Sequence, residues 1–211
     1  MECFRHCARQ TIRINAAAAV FIYVAGLAFF TVERMNPAGL IQMGERYLPL
    51  AGIFWFLAAG RPEEECGAAD VIYLTGRFFL KYYLARLAFL SAAAGLVLLL
   101  FLGIVSGMSK SLNIGPGGAF MIWQGIFAGQ LFLGLLTMEI AAWTKRRRIG
   151  LIAGLLWYLA DTQTNGRLMG AFTLLGYGLG RGWTKGCLWG ACAGLTVLSF
   201  VRIRRRVKGR G

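Results

Sequence analysis

Long apolar stretches are the feature that most constrains how this chain folds. Leu84 to Val105 and Ala119 to Trp143 both reach the roughly 20 residues that a helix needs to cross the hydrocarbon core of a bilayer. Ile14 to Val32 is a comparable run, with basic residues before it and Glu33 and Arg34 after it. These stretches predict an all-α integral membrane protein.

Composition supports the same conclusion and limits the classes of function. Hydrophobic residues make up 57% of the 211 residues and charged residues only 15%, whereas a soluble domain has about 25% charged residues. A net charge of +14 would suggest a nucleic-acid partner in a soluble chain. The apolar runs make the lipid bilayer the expected partner instead, with no nucleic acid. Roughly five to seven spans with their loops use the whole length, which leaves no room for a soluble catalytic domain.

The chain is expected to form one transmembrane domain, residues 1–211, with six spans and both termini in the cytoplasm. Lys and Arg of short loops collect on the cytoplasmic side, and this topology places basic groups of three, four, four and six residues there.

Leu168 to Gly180 is too short for a free crossing and is predicted to be a re-entrant or outer helix before the sixth span. A kink is expected at Pro49 in the second span. The predicted spans are 14–32, 38–60, 84–105, 119–143, 149–160 and 183–201, with an outer re-entrant segment at 165–182.

Glycines recur at four-residue spacing before and within the sixth span. Small residues at this spacing let helices approach closely in lipid. One interpretation, the favoured one, is tight packing within a single bundle, and the other is an interface with a second subunit. The ladder comprises Gly178, Gly182, Gly186, Gly190 and Gly194, and the same spacing occurs at Gly103/Gly107, Gly125/Gly129 and Gly150/Gly154.

Two adjacent charged residues, Glu45 and Arg46, fall within the second span. A charge inside the bilayer costs about 3 kcal/mol on insertion scales, so each needs a partner or a function. The two side chains point about 100° apart on a helix and do not face each other. Pairing with Glu33, Arg34 or a second subunit is expected, and a gate or substrate contact is the functional alternative.

Two further acidic residues lie near span ends. Glu139 precedes the basic run Lys145–Arg148 by one to two helical turns, which predicts a local salt bridge, with a role in translocation as the alternative. Asp161 follows the fifth span and is expected to be solvated.

Residues 61–83 are predicted to be the main cytoplasmic segment. Pro62 fits the first turn of a helix, and the glutamates after it complement the positive helix N-terminus. The second half alternates aromatic with basic residues, as expected of a helix at the headgroup boundary. Three adjacent glutamates disfavour an anionic membrane surface, so this amphipathic helix is expected to dock on a soluble protein. A merely solvated acidic helix start is the other interpretation.

This segment resembles the first cytoplasmic loop of type-two ATP-binding-cassette (ABC) exporter permeases. The shared order is E-x-E-x-G, an acidic residue three positions later, apolar residues, and then Thr, a turn residue and Arg. The six spans with both termini inside and the re-entrant segment before the sixth are also similar to that family. Gly76 stands where the family usually has Pro. The matching positions are Glu63, Glu65, Gly67, Asp70, Ile72, Leu74, Thr75, Gly76 and Arg77, with Glu64 inside the acidic run.

The resemblance implies a permease that dimerises with a second copy or a paralogue and contacts two cytoplasmic ABC ATPase subunits through a coupling helix. Glu63, Glu65 and Asp70 would then meet basic residues of the ATPase. The chain has no G-x-x-x-x-G-K-[ST] P-loop, so ATP and Mg would bind to the partner and no cofactor is expected in this chain. The expected setting is the plasma (inner) membrane of a bacterium, and the expected cargo is a hydrophobic or amphipathic small molecule, lipid or peptide.

Other classes of function remain open. An intramembrane enzyme without a metal is one, although no H-E-x-x-H or G-x-S-x-G motif occurs. Cys3, His6 and Cys7 supply at most three ligands, so no metal site is predicted. A substrate-binding subunit of a vitamin importer has a similar size and span count but needs no acidic coupling loop. A passive channel or scaffold would show no dependence on ATP.

Overall fold

The computed structural model describes residues 17–28, 36–57, 77–109 and 115–208. Across these ranges the chain is helical, with turns between helices and no β-strand. The helices are α1 (Ala17–Ala28), α2 (Pro37–Tyr47), α3 (Pro49–Leu57), α4 (Arg77–Met108), α5 (Pro116–Thr144), α6 (Arg147–Gln163) and α7 (Trp183–Lys208).

Three of these helices contain segments long and apolar enough to cross a membrane. They are Tyr83–Met108, Pro116–Thr144 and Trp183–Arg205. The prediction of an all-helical chain with membrane-spanning helices is confirmed to this extent. The six-span count and the side on which the termini lie stay predictions.

The second predicted span is divided into α2 and α3 at Leu48. The Asn36 side chain caps the start of α2 by accepting a 2.7 Å hydrogen bond from the Gly39 N–H. Pro49 has no N–H to continue α2, so α2 ends at Tyr47 and the chain restarts as α3 at Pro49. The Gln130 side-chain amide of α5 donates to the Leu48 carbonyl at 3.0 Å and to the Tyr23 hydroxyl at 2.6 Å. The helix is therefore interrupted next to Pro49, and the Leu48 carbonyl at the interruption is bonded from a neighbouring helix.

Helix α5 lies at the centre of the bundle and is the most deeply buried of the three candidate spans. It packs mainly against α3, α6 and α7. Glycines allow this close packing, because a Cβ at Gly52 of α3 would overlap the Gln130 carbonyl oxygen of α5. A Cβ at Gly154 of α6 would likewise overlap the Thr137 hydroxyl. The four-residue spacing at Gly150 and Gly154 therefore marks a real helix contact.

The glycine ladder of the sixth predicted span behaves differently. Gly186, Gly190 and Gly194 are exposed along α7, and an added Cβ at each would meet no atom within 4 Å. Gly178 and Gly182 precede the helix. Packing within one bundle, the favoured interpretation, is therefore wrong for the three helical glycines as far as the described residues go. The interface with a second subunit stays a prediction.

Residues 164–182, which join α6 to α7, are called the connecting segment below. A short re-entrant or outer helix was the expectation here, but the segment consists of turns with a single 3₁₀ turn at Gly170–Phe172. Asn165, Gly166, Gly170 and Gly180 all adopt positive φ angles. An α-helix cannot contain such residues, so the glycine content that suggested helix packing in fact produces turns.

Candidate functional site

A buried ion pair joins the end of α2 to the start of α7. A Glu45 carboxylate oxygen, Oε1, lies 2.7 Å from Lys185 Nζ. The side chains are only 1% and 2% exposed. The sequence suggested Arg34 or a second subunit as the cation for Glu45, and the structure instead provides Lys185, which is 140 residues away in sequence.

Glu45 also binds the connecting segment. Its Oε1 accepts a hydrogen bond from the Tyr177 N–H at 3.0 Å, and its Oε2 accepts one from the Gly178 N–H at 2.8 Å. A Cβ at Gly178 would lie 3.3 Å from Oε2, so glycine leaves room for the carboxylate to approach the backbone. Backbone donors and an ammonium group together satisfy the ionised form of Glu45.

Lys185 makes two further contacts with the same segment. Its ammonium group donates to the Leu174 carbonyl oxygen. The ammonium nitrogen also lies 5.7 Å from the centre of the Tyr177 ring, within the range of a cation–π interaction. The cation is thus held by a carboxylate, a carbonyl and an aromatic face.

Asp161, near the end of α6, is the third charged residue at this end of the bundle. It is fully buried, and its Oδ2 accepts a 2.7 Å hydrogen bond from the Leu174 N–H. Its Oδ1 is buried without a hydrogen-bond partner. The expectation that Asp161 is solvated is therefore wrong, because the connecting segment folds back over it. We refer to Glu45, Asp161 and Lys185 as the charged cluster.

Leu174 connects two members of the charged cluster through its own backbone. Its N–H donates to Asp161 and its C=O accepts from Lys185. With Glu45 bound to Tyr177 and Gly178, three helices reach the connecting segment through charged side chains. The segment, whose own backbone hydrogen bonds form turns, is in this way attached to α2, α6 and α7.

A small recess lies beside the charged cluster. Arg46 is exposed, and its guanidinium donates a 2.9 Å hydrogen bond to the Asn165 side-chain oxygen. The recess holds about 120 Å³. It is lined by Gln42, Glu45, Arg46, Asn165, Leu175, Gly178 and Leu179.

A second ion pair lies at the opposite end of the bundle. Arg202 of α7 donates to Glu139 of α5 through both terminal guanidinium nitrogens, from Nη1 to Oε2 at 2.7 Å and from Nη2 to Oε1 at 3.2 Å. Ser199 also donates to Glu139, and the Tyr83 hydroxyl of α4 donates to Ser199 at 3.1 Å. The structure gives Glu139 a partner that the sequence did not indicate, and the predicted salt bridge with Lys145–Arg148 stays a prediction. Helix α7 packs on α5 and brings Arg202 to the carboxylate.

The two ion pairs lie about one membrane thickness apart. Lys185 and Arg202 are 17 residues apart on α7, which is about 26 Å along a helix with a rise of 1.5 Å per residue. The hydrocarbon core of a bilayer is about 30 Å thick. Each ion pair therefore marks one end of the same helix, and Lys145–Arg148 lie at the Arg202 end.

Most of the predicted coupling residues fall outside the described parts of the chain. These are Glu63, Glu64, Glu65, Gly67, Asp70, Ile72, Leu74, Thr75 and Gly76. Arg77 is the first residue of α4. That helix runs without a break into the predicted third span, so the end of the predicted cytoplasmic segment, 77–83, is helical and continuous with it.

Sequence reasoning missed Lys185 and Arg202 as partners. In the sequence, Lys185 lies close to Arg181 before the sixth predicted span and Arg202 begins the basic C-terminal run, so neither stands out as a partner of a buried acid. The sequence does mark Lys185 as unusual, since it is the one charged residue between positions 182 and 201. No pattern along the chain indicates which carboxylate it meets.

Comparisons with protein-family models, with curated proteins and with solved structures find no significant match. Within the described ranges, no group of three or more His, Cys, Asp or Glu side chains could hold a metal ion.

Proposed function

We propose that this chain is the transmembrane permease subunit of an ATP-driven ABC transporter. It would export a hydrophobic or amphipathic small molecule, lipid or peptide by alternating access at a dimer interface. The observation that carries the proposal is the attachment of the connecting segment to three helices through the charged cluster. A non-helical segment that charged side chains attach to three helices at one end of a bundle is suited to be a gate, because breaking those contacts would weaken its attachment to all three helices.

The difference between the two ends supports an orientation for this gate. The Arg202 end carries Lys145–Arg148 and the basic residues of the α7 terminus. The connecting segment lies at the other end. With basic loops facing the cytoplasm, the gate would face outward, away from the ATPase.

Coupling to ATP hydrolysis would pass through the predicted cytoplasmic segment 61–83. Glu63, Glu65 and Asp70 offer negative charge to a basic ATPase surface, and Gly67 permits close backbone approach. The continuous helix α4 from Arg77 to Met108 offers a rigid connection from that segment into the bundle. Movement of the coupling helix would therefore be transmitted along α4, with ATP and Mg bound only to the partner subunit.

A substrate-binding subunit of a vitamin importer is the second candidate, and the recess beside Arg46 is the observation that favours it. Its volume is about 120 Å³, whereas pockets for small-molecule ligands have volumes of about 300 to 1,000 Å³. The recess is therefore small for a vitamin. An intramembrane enzyme without a metal would use the charged cluster for chemistry. The hydrogen bonds of Glu45 and Lys185 to backbone groups fit a structural attachment better.

The test is a charge reversal in the coupling segment with a matched control. We expect Glu65→Lys to abolish copurification of an ABC ATPase with the tagged chain, because it opposes a basic surface with a basic residue. Glu2→Lys makes the same charge change in the N-terminal segment and should retain the ATPase. Equal membrane levels of both variants would exclude a failure of insertion. Retention of the ATPase by Glu65→Lys would remove this segment from the interface.

A further inference from the structure

The charged cluster contains one more carboxyl group than its cation can neutralise. Glu45 and Asp161 are both buried, and Lys185 is the one buried cation near them within the described residues. With all three groups ionised, the enclosed cluster would carry a net charge of −1. An uncompensated charge in an apolar interior is so unfavourable that a group there normally becomes neutral instead.

The hydrogen bonds distinguish the two acids. Glu45 has Lys185 at 2.7 Å and two backbone N–H donors, which is the environment of an ionised carboxylate. Asp161 receives one backbone N–H on Oδ2 and has the Thr173 hydroxyl close to it, whereas its Oδ1 is buried without a hydrogen-bond partner. The environment of Asp161 therefore suits a neutral carboxyl group much better than a charged one.

We propose that Asp161 is a proton-binding residue, which holds a proton on its carboxyl group while the connecting segment covers it and releases that proton to water when the segment opens. The step is Asp161–COOH giving Asp161–COO⁻ and H⁺, with no change of oxidation state. A metal cation is a poor alternative ligand, because one free oxygen beside an ammonium group is too few ligands for it. The inference does not depend on an ATPase partner.

The groups that face Asp161 act in both directions. Burial is the largest effect and raises the pKa of the Asp161 carboxyl, which lies just beyond the predicted fifth span. The Leu174 N–H, the Thr173 hydroxyl and the charge of Lys185 lower this pKa, and the charge of Glu45 raises it. The connecting segment provides the cover that excludes water, so its opening would return the pKa towards the ordinary value of about 3.9. Closure of the segment and uptake of a proton would therefore favour each other.

Infrared spectroscopy of the purified, reconstituted full-length chain tests the proposal directly. A protonated carboxyl group gives a C=O stretching band that an ionised carboxylate lacks. We expect such a band at about pH 7, where free Asp and Glu are ionised, and expect Asp161→Asn to remove it. Glu139→Gln, a control at a buried acid outside the charged cluster, should retain it. A wild-type spectrum without the band, or a band unchanged in Asp161→Asn, would overturn the proposal.

Thermal stability gives an independent readout. Asn mimics the neutral acid in size and charge, so Asp161→Asn should melt close to wild type at about pH 4 and no lower than wild type at about pH 7. Glu45→Gln removes the carboxylate that binds Lys185 and should melt below wild type at about pH 7. A raised folded-state pKa means that wild type loses stability relative to Asp161→Asn as pH rises above about 4. If Asp161→Asn lowers the melting temperature at about pH 7 as much as Glu45→Gln does, Asp161 is ionised in the folded protein and the proposal is overturned. If Asp161→Asn fails to fold, the presence or absence of the wild-type infrared band decides.

Discussion

Glu45 and Lys185 form an ion pair of 2.7 Å that is almost wholly buried and joins α2 to the start of α7. The same two side chains hold the backbone of the connecting segment at Leu174, Tyr177 and Gly178. The pair therefore determines both the packing of two helices and the position of the segment between α6 and α7. Its disruption should affect the stability of the bundle and the closure of the segment together.

Replacement of one member of this pair should be strongly destabilising. We expect Lys185→Met to lower the free energy of unfolding by about 3–5 kcal/mol, because it leaves the Glu45 carboxylate buried without its cation. Adding Glu45→Gln should recover part of the loss, with a coupling of about 1–3 kcal/mol. The free energies of unfolding in detergent of Lys185→Met, Glu45→Gln and the double variant give this coupling. Strictly additive effects would show that the two residues do not interact.

The second ion pair allows a comparison of two neighbouring arginines. Arg202→Ala should lower stability by about 3 kcal/mol, because Glu139 loses a two-point contact and stays buried. Arg204→Ala removes the same side chain two residues further on, where it is exposed, and should change stability by less than about 0.5 kcal/mol. Equal effects of the two variants in the same unfolding assay would contradict the structure.

Glycines at close helix contacts should not tolerate a methyl group. Gly52→Ala places a Cβ against the Gln130 backbone, which cannot move without shifting α5, and should cost about 1–3 kcal/mol. Gly190→Ala meets open space and should cause no loss. The melting temperatures of the two purified variants test this, and a Gly52→Ala chain as stable as wild type would disprove the α3–α5 contact.

The exposed glycines of α7 test the predicted dimer. Gly190→Trp should abolish self-association if this face meets a second copy, because the bulky ring prevents close approach of helices. Leu156→Trp changes an exposed residue of α6 and should leave self-association intact. Cross-linking in membranes measures the self-association of both variants. Unchanged cross-linking of Gly190→Trp would exclude this face as the interface.

The helical character of the chain and its three helices long and apolar enough to cross a membrane follow from the sequence, because apolar runs and their lengths are local properties. The interruption at Pro49 is predictable for the same reason, since a missing N–H acts on its own helix. The partners of the charged residues are not local. Lys185 reaches Glu45 only through the turns of the connecting segment, and Arg202 reaches Glu139 only because α7 packs on α5.

The connecting segment illustrates a conflict between two uses of glycine. Glycines spaced by four residues favour close helix packing, but glycines with positive φ terminate helices. Gly178 leaves space for the Glu45 carboxylate, Gly180 has a positive φ, and Gly190 faces outward. Gly178 and Gly190 belong to the same four-residue ladder, so the sequence pattern alone cannot separate their roles.

Purification of the tagged chain from its native membranes in mild detergent, followed by mass spectrometry of what copurifies, tests the central claim most directly. The account predicts a stoichiometric ATPase with a Walker-type P-loop, present with the wild-type chain and lost with Glu65→Lys. A folded wild-type chain that is reproducibly isolated without any ATPase would contradict the assignment as an ABC permease.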